Sequence, residues 1–228
     1  MKPIVIAEFV RSPFTIAHKG KLARVRPDEM ASQVIKGLLQ RAKIDAEKVE
    51  DLIVGCAFPE GEQGFNMARL IGFLADLPLG VGGGTVNRFC GSSMQAIHMA
   101  AGAMQMGAGE AYICAGVESM SRIPMTGFNP MPHPVLYERY PEAYMGMGET
   151  AENIAENYDL SREQQDGFAV ESQRKAVEAQ RLGRLKKEII PIETKSGKIN
   201  EDGCIRADTT NETLGSLKPA FSETGSVT

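Results

Sequence analysis

Residues 83–117, GGTVNRFCGSSMQAIHMAAGAMQMGAGEAYICAGV, decide the fold. The stretch opens as a short strand through Phe89, passes into a helix from Gly91 to about Met106, and returns to a strand from Glu110 to Val117. A strand that reaches the next strand through a helix pairs with it in parallel, since a hairpin turn is absent. The pattern extends outward. Residues 49–58 (VEDLIVGCAF) read as a strand, and Asn66 to about Ala75 as a helix stopped before Pro78. Residues 2–10 (KPIVIAEFV) read as a further buried strand, and Asp28 is placed to cap a helix running to about Arg41. This alternation specifies an α/β fold with a mainly parallel sheet. The helix after Cys90 carries Met94, Ile97, Met99, Ala101 and Met104 on several faces, so it is expected to be buried on all sides.

The composition is that of an ordinary globular chain: 228 residues, 43% hydrophobic and 24% charged. A net charge of −4 gives no global attraction to nucleic acid or to an anionic membrane surface. No stretch is long and apolar enough to span a bilayer. The four cysteines (Cys56, Cys90, Cys114, Cys204) contain no pair at zinc or redox spacing, and no metal ligand set is evident. Cys56 and Cys114 lie in apolar strand-like runs and read as inert thiols. The chain starts in a strand-like run with no secretory leader pattern, which points to a reducing, cytoplasmic setting. After Ser121 the texture changes. Residues 122–148 are rich in Pro, Met, Gly and aromatics without periodicity, as in lids and oligomer contacts. Two helices follow, from about Glu149 to Tyr158 and from Ser161, in capping-box spacing with Gln164, to about Arg181.

Asn87-Arg88-Phe89-Cys90-Gly91-Ser92-Ser93 is the sharpest local feature. A cysteine at a strand-to-helix junction lies near unpaired backbone N–H groups and the positive end of the helix dipole. That setting favours an anionic sulfur, and the same N–H groups suit an oxyanion on an attacked thioester. On spacing alone, a nucleophilic Cys90 and a merely structural one both stand.

The surrounding residues resemble the nucleophile segment of the thiolase family, whose N-x-x-C-x-S-G/S-x-x-A pattern falls on Asn87, Cys90, Ser92, Ser93 and Ala96. The family's G-G-x-E-S-M-S turn is similar to residues 115–121, and R-S/T-P-F falls on residues 11–14. M-G-x-T-A-E-N falls on residues 147–153, S-R-E-x-Q-D on 161–166 and L-K/R-P-A-F on 217–221. The resemblance implies the first half of a two-half fold: a sheet between helices at 1–121, an inserted loop domain at 122–210, and a return to the first domain at 211–228. It also implies that the second half, with its G-H-P-x-G histidine and C-x-G-G cysteine, is not in this sequence. None of His18, His98 and His133 matches the family's base, so these residues alone are expected to catalyse poorly.

By the same resemblance, Cys90 carries the acyl group and coenzyme A is a substrate, with no cofactor. Arg206 would lie beside the adenine and phosphates of coenzyme A, Thr213 and Leu214 along the pantetheine, Ala220 and Phe221 against both, and Met147 near the acyl group. Gly146 stands where many relatives that make acetoacetyl-coenzyme A carry His, which favours a longer or different acyl group. The implied partners are acyl-coenzyme A, coenzyme A and further copies of the chain, as a dimer or tetramer. The rivals are a decarboxylating ketosynthase, which lacks the signatures at 150–153 and 161–163, and a non-catalytic thiolase-like protein that only dimerises.

Overall fold

The computed structural model describes residues 3–228. It divides into two compact units, residues 1–129 with 186–204, and residues 130–185 with 205–228.

The first unit is built on a three-stranded parallel sheet in the order β2-β1-β3, with β1 at Asp51–Gly55, β2 at Gly82–Val86 and β3 at Tyr112–Gly116. Val54 pairs with Thr85 on one side and Ala115 on the other. The period of two along β1 sorts its side chains between two layers. Leu52 and Val54 face a core with Ile35, Met67 and Ile71, contributed by α1 (Pro27–Ala42) and α2 (Met67–Leu74). Ile53 faces Ala96 and Ala100 of α3 (Ser92–Gln105) on the opposite side. The sheet is therefore flanked by helices on both faces. Fully burying side chains such as Leu52, Met67 and Ile71, all 0% exposed, contributes about 1.5–3 kcal/mol each.

Several expectations are corrected. Asp28 does not cap α1. Pro27 holds the first helical position, where its fixed φ suits the helix and its missing N–H leaves no donor unpaired. The Asp28 carboxylate instead accepts from Arg26 and from the Glu29 N–H. Residues 3–10 form no strand, and Lys2 lies outside the described residues. Only an isolated bridge, Arg11 to Ile189, follows them. Val5 (78% exposed), Ile6 and Phe9 stay open because no described strand pairs with the run.

Nor is α3 enclosed. It buries only Ser92, Ala96 and Ala100, one stripe at four-residue spacing, while Met94, Ile97 and Met99 are exposed. The sheet covers one side of a helix and leaves the rest open. The strand before Cys90 also ends early, at Val86, and a single 3₁₀ turn at Phe89–Gly91 precedes α3.

Residues 186–204 belong to the first unit by their contacts. They carry an antiparallel hairpin of β4 (Ile192–Thr194) and β5 (Gly197–Ile199). Arg11 holds this segment, with its guanidinium fork on Asp202 at 2.7 and 2.8 Å and its Nε 3.1 Å from Glu188. The second unit contains the short helix α4 (Pro134–Arg139), α5 (Met147–Asn157), α6 (Arg162–Arg181) and α7 (Asn211–Gly215). The expected capping box on α6 is present, with the Ser161 N–H donating to Gln164 Oε1 at 2.8 Å and the Gln164 N–H to Ser161 Oγ at 3.3 Å.

Candidate active site

Cys90 is exposed, in the turn between the end of β2 and the start of α3. Phe89, just before it, adopts φ +46°, a left-handed conformation that costs a non-glycine residue about 1–2 kcal/mol. Side chains hold its peptide groups at both ends. The Phe89 N–H donates to Asn87 Oδ1 at 2.9 Å, and its carbonyl accepts from the Ser92 hydroxyl at 2.6 Å. Ser92 Oγ also accepts from the Arg88 N–H at 2.9 Å. Below the turn, α3 meets the sheet at two glycines. A methyl group on Gly55 would strike the Ser92–Ser93 backbone, and one on Gly116 would strike the Ser93 side chain. The helix can start this close to the strand ends only because no side chain intervenes.

The sequence leads to unpaired N–H groups beside Cys90, but those of Gly91 and Ser92 are paired. They donate to the Arg88 and Phe89 carbonyls and close the 3₁₀ turn.

Behind this turn lies a polar clasp. Gln63, 0% exposed, donates to the Phe58 carbonyl at 2.9 Å and to Glu118, and accepts from the Ser119 N–H at 2.7 Å. Glu118 accepts from the Ala57 N–H at 2.8 Å, and the Ala57 carbonyl accepts from Asn87 Nδ2 at 2.9 Å. The loops after β1 and β3 are thus tied to each other and to the Cys90 turn. Buried Cys56 lies at this clasp, and desolvation, reinforced by the Glu118 charge, pushes its thiol up to about 11. Burial also pushes the Cys114 thiol up.

Among the described residues, no histidine hydrogen-bonds to Cys90. His98 is exposed on α3, eight residues beyond Cys90 and so roughly 12 Å along the helix axis. His18 is exposed, and His133 uses Nδ1 to accept from the Leu136 N–H at the start of α4. The described residues hold no group of three or more His, Cys, Asp or Glu side chains that could bind a metal ion.

The remaining candidates fall in the second unit. Met147 is the first residue of α5 and is 67% exposed. The Phe221 ring lies against Gly148, the residue after Met147, where any side chain would collide with it. The Ala220 N–H donates to the Val227 carbonyl at 2.9 Å. Leu214, in α7, offers its carbonyl to Arg162, whose Nε is 2.9 Å from Asp166. The Thr213 hydroxyl serves the start of α7, donating to the Thr210 carbonyl at 2.9 Å and accepting from the Thr210 N–H. Arg206 is exposed, and its backbone N–H donates to Gln173 Oε1 at 2.8 Å. Its guanidinium makes no hydrogen bond or ion pair among the described residues.

The thiolase N-terminal domain description matches residues 4–228. This chain belongs to the thiolase family. It is 45% identical over its whole length to a 3-ketoacyl-CoA thiolase of Bacillus subtilis, of which it covers 62%. It is 42% identical, again over its whole length, to one of Marinobacter nauticus, covering 60% of that protein. A third, from Idiomarina loihiensis, is 40% identical over 97% of the chain, which covers 58% of it. The chain spans about three fifths of the length of the curated relatives it matches.

Within this thiolase N-terminal domain, most of the sequence motifs turn out to fasten segments together. Glu152, in the motif at 147–153, accepts from the Ser226 and Val227 N–H groups at 2.9 and 3.0 Å. Arg162, in the motif at 161–166, donates to the carbonyls of Leu214 and Leu217 while its Nε donates to Asp166. Sequence reasoning placed no role on Gln63 or Glu118. A glutamine between glycines in an acidic loop gives no periodic signal of burial, and only tertiary contact shows it to be enclosed.

Proposed function

We propose that the protein is an acyltransferase of the thiolase type that cleaves 3-oxoacyl-coenzyme A, or runs the reverse condensation, through an acyl group on Cys90. The exposed thiol in a side-chain-clamped turn at the head of α3 carries this reading. The Cys90 sulfur attacks the 3-oxo carbonyl carbon, the bond between C2 and C3 breaks, and its electron pair leaves as the enolate of acetyl-coenzyme A, which takes up a proton. A second coenzyme A then accepts the acyl group from sulfur. A thiolate suits both steps, being a good nucleophile and a good leaving group.

Coenzyme A is a substrate in this scheme, and no cofactor is needed. Arg206 supplies a cation for its phosphates, Thr213, Leu214, Ala220 and Phe221 line the nucleotide and pantetheine, and Met147 meets the acyl chain. The exposed guanidinium of Arg206, unpaired among the described residues, and the seating of Phe221 against Gly148 support these roles. In this proposal residues 1–121 and 211–228 form the catalytic domain and 122–210 the loop domain, a division that differs from the compact units, where 186–204 group with the first and 205–228 with the second. The same reading makes the protein cytoplasmic and homo-oligomeric, and no described helix is long and apolar enough to cross a membrane. Gly146, where many relatives that make acetoacetyl-coenzyme A carry His, favours a longer or different acyl group.

Incubation of the intact protein with 3-oxoacyl-coenzyme A of several chain lengths, followed by peptide mass spectrometry, tests the proposal. An acyl adduct on Cys90, absent from Cys90→Ser, is the expected result. Acylation elsewhere, or none at any chain length, would overturn it.

A further inference from the structure

Phe89 keeps φ +46° although little packing fixes it: the residue is 63% exposed, with the Phe58 ring 6.0 Å away. What holds it is polar. Asn87 takes its N–H and Ser92 its carbonyl. Asn87 also donates through Nδ2 to the Ala57 carbonyl, whose own N–H is fixed by Glu118, and Glu118 is held by the buried Gln63. Only a side chain with both a donor and an acceptor can join the two. The start of α3 cannot move toward the sheet, because its backbone already touches Gly55. A relaxation of Phe89 toward negative φ would therefore be taken up within residues 87–91, where Cys90 lies.

We infer that Asn87, with Ser92 as its counterpart, is a positioning residue that holds the Phe89 peptide in its left-handed form and so fixes the Cys90 sulfur relative to the strand ends. The inference rests on the reading of Cys90 as the acyl carrier. Neither side chain need touch the reacting atoms.

The test is a double-mutant cycle in the intact protein, with thiolysis of a 3-oxoacyl-coenzyme A as the readout. Asn87→Ala is expected to lower kcat roughly ten- to a hundredfold, since a misplacement of about 1 Å is enough for that, and to leave KM for coenzyme A within about twofold. Glycine reaches positive φ without help. On the Phe89→Gly background the same Asn87→Ala change should therefore lower kcat by less than about threefold. Such non-additivity is what a shared mechanical role produces. Ser92→Ala should show the same non-additivity with a smaller loss, because the Ser92 backbone N–H still donates to the Phe89 carbonyl. An equal loss of kcat in both backgrounds would overturn the inference, as would an Asn87→Ala enzyme with wild-type kcat. If Asn87→Ala does not fold with Phe89 in place but folds and turns over on the Phe89→Gly background, the inference stands; if it folds on neither, Asn87 supports the fold and the inference fails. Cys90→Ser separates the two claims. Wild-type turnover in that variant would sink the acyl-carrier reading, whereas its loss together with an unaffected Asn87→Ala would sink only the positioning role.

Discussion

Cys56 and Cys90 carry the same side chain at the ends of adjacent strands and meet opposite surroundings. Cys56 is buried, and its thiol is pushed up to about 11, so at neutral pH it stays protonated and shielded. Cys90 is open to solvent. Iodoacetamide at neutral pH should label Cys90 well before Cys56 or Cys114, and Cys56 should begin to react in the folded protein only as pH approaches about 11. Peptide mass spectrometry of a labelling time course checks this, with faster labelling of Cys56 as the contrary outcome. Arg206 invites a second test, because no internal partner occupies its guanidinium among the described residues. A charge-assisted phosphate contact contributes about 1.5–3 kcal/mol, roughly ten- to a hundredfold. Arg206→Ala should raise the apparent KM for coenzyme A thioesters by that factor and leave small pantetheine thioesters nearly unaffected. Equal losses on both would mean that Arg206 serves the fold.

The helices were legible from local signals to within a residue or two: α2, α3 and α6 start and stop close to the expected limits, because caps and apolar spacing act within a few residues. The strand expected at 2–10 is absent over residues 3–10 for the same reason. Its apolar, β-branched run satisfies a strand pattern, but a strand exists only with a ladder partner, and that is a non-local condition. The approach of α3 to β1 is equally non-local. Gly55→Ala would force a methyl into the Ser92–Ser93 backbone, and should destabilise the protein by about 1–3 kcal/mol in urea unfolding, with kcat falling further than a surface change would cause. Arg11 ties residues 186–204 to the first unit, and its hydrogen bonds hold the Asp202 carboxyl below the usual carboxylate range. That contribution is complete above the unfolded value of about 4 and is lost as pH falls through the lower folded value. Asp202→Asn should therefore cost stability at neutral pH, and the difference from wild type should shrink below about pH 4. A gap in melting temperature that stays constant from pH 7 to pH 3 would exclude this ion pair as its source.

Met94, Ile97 and Met99 on the outer side of α3 stand 37–57% exposed, and Val5, Ile6 and Phe9 are more open still. Apolar patches beyond a few hundred Å² are uncommon on soluble monomers. The 228-residue chain should accordingly self-associate at micromolar concentration or bind a hydrophobic dye. Ile97→Lys should weaken whichever occurs, since a charge on that face resists desolvation. Sedimentation together with dye fluorescence checks it, and a monomer that binds no dye would show that this face is content in water.

The alternation of elements, the parallel pairing, the nucleophile turn and the family resemblance all follow from the order and spacing of residues along the chain, because propensity, capping and crossover length are local or nearly local properties. Only the tertiary structure decided which motif residues fasten segments and which stay free. Glu152, Arg162 and Arg11 carry charges that read equally well as ligand contacts until their partners, 52 to 191 residues away, are seen beside them. The clamp on Phe89 is made by near neighbours, Asn87 and Ser92, but Asn87 is itself anchored on the Ala57 carbonyl across the strand ends. Its strain is invisible in Asn-Arg-Phe-Cys, since a positive φ at phenylalanine is disfavoured by its own sterics and persists only where the surrounding groups outweigh that cost.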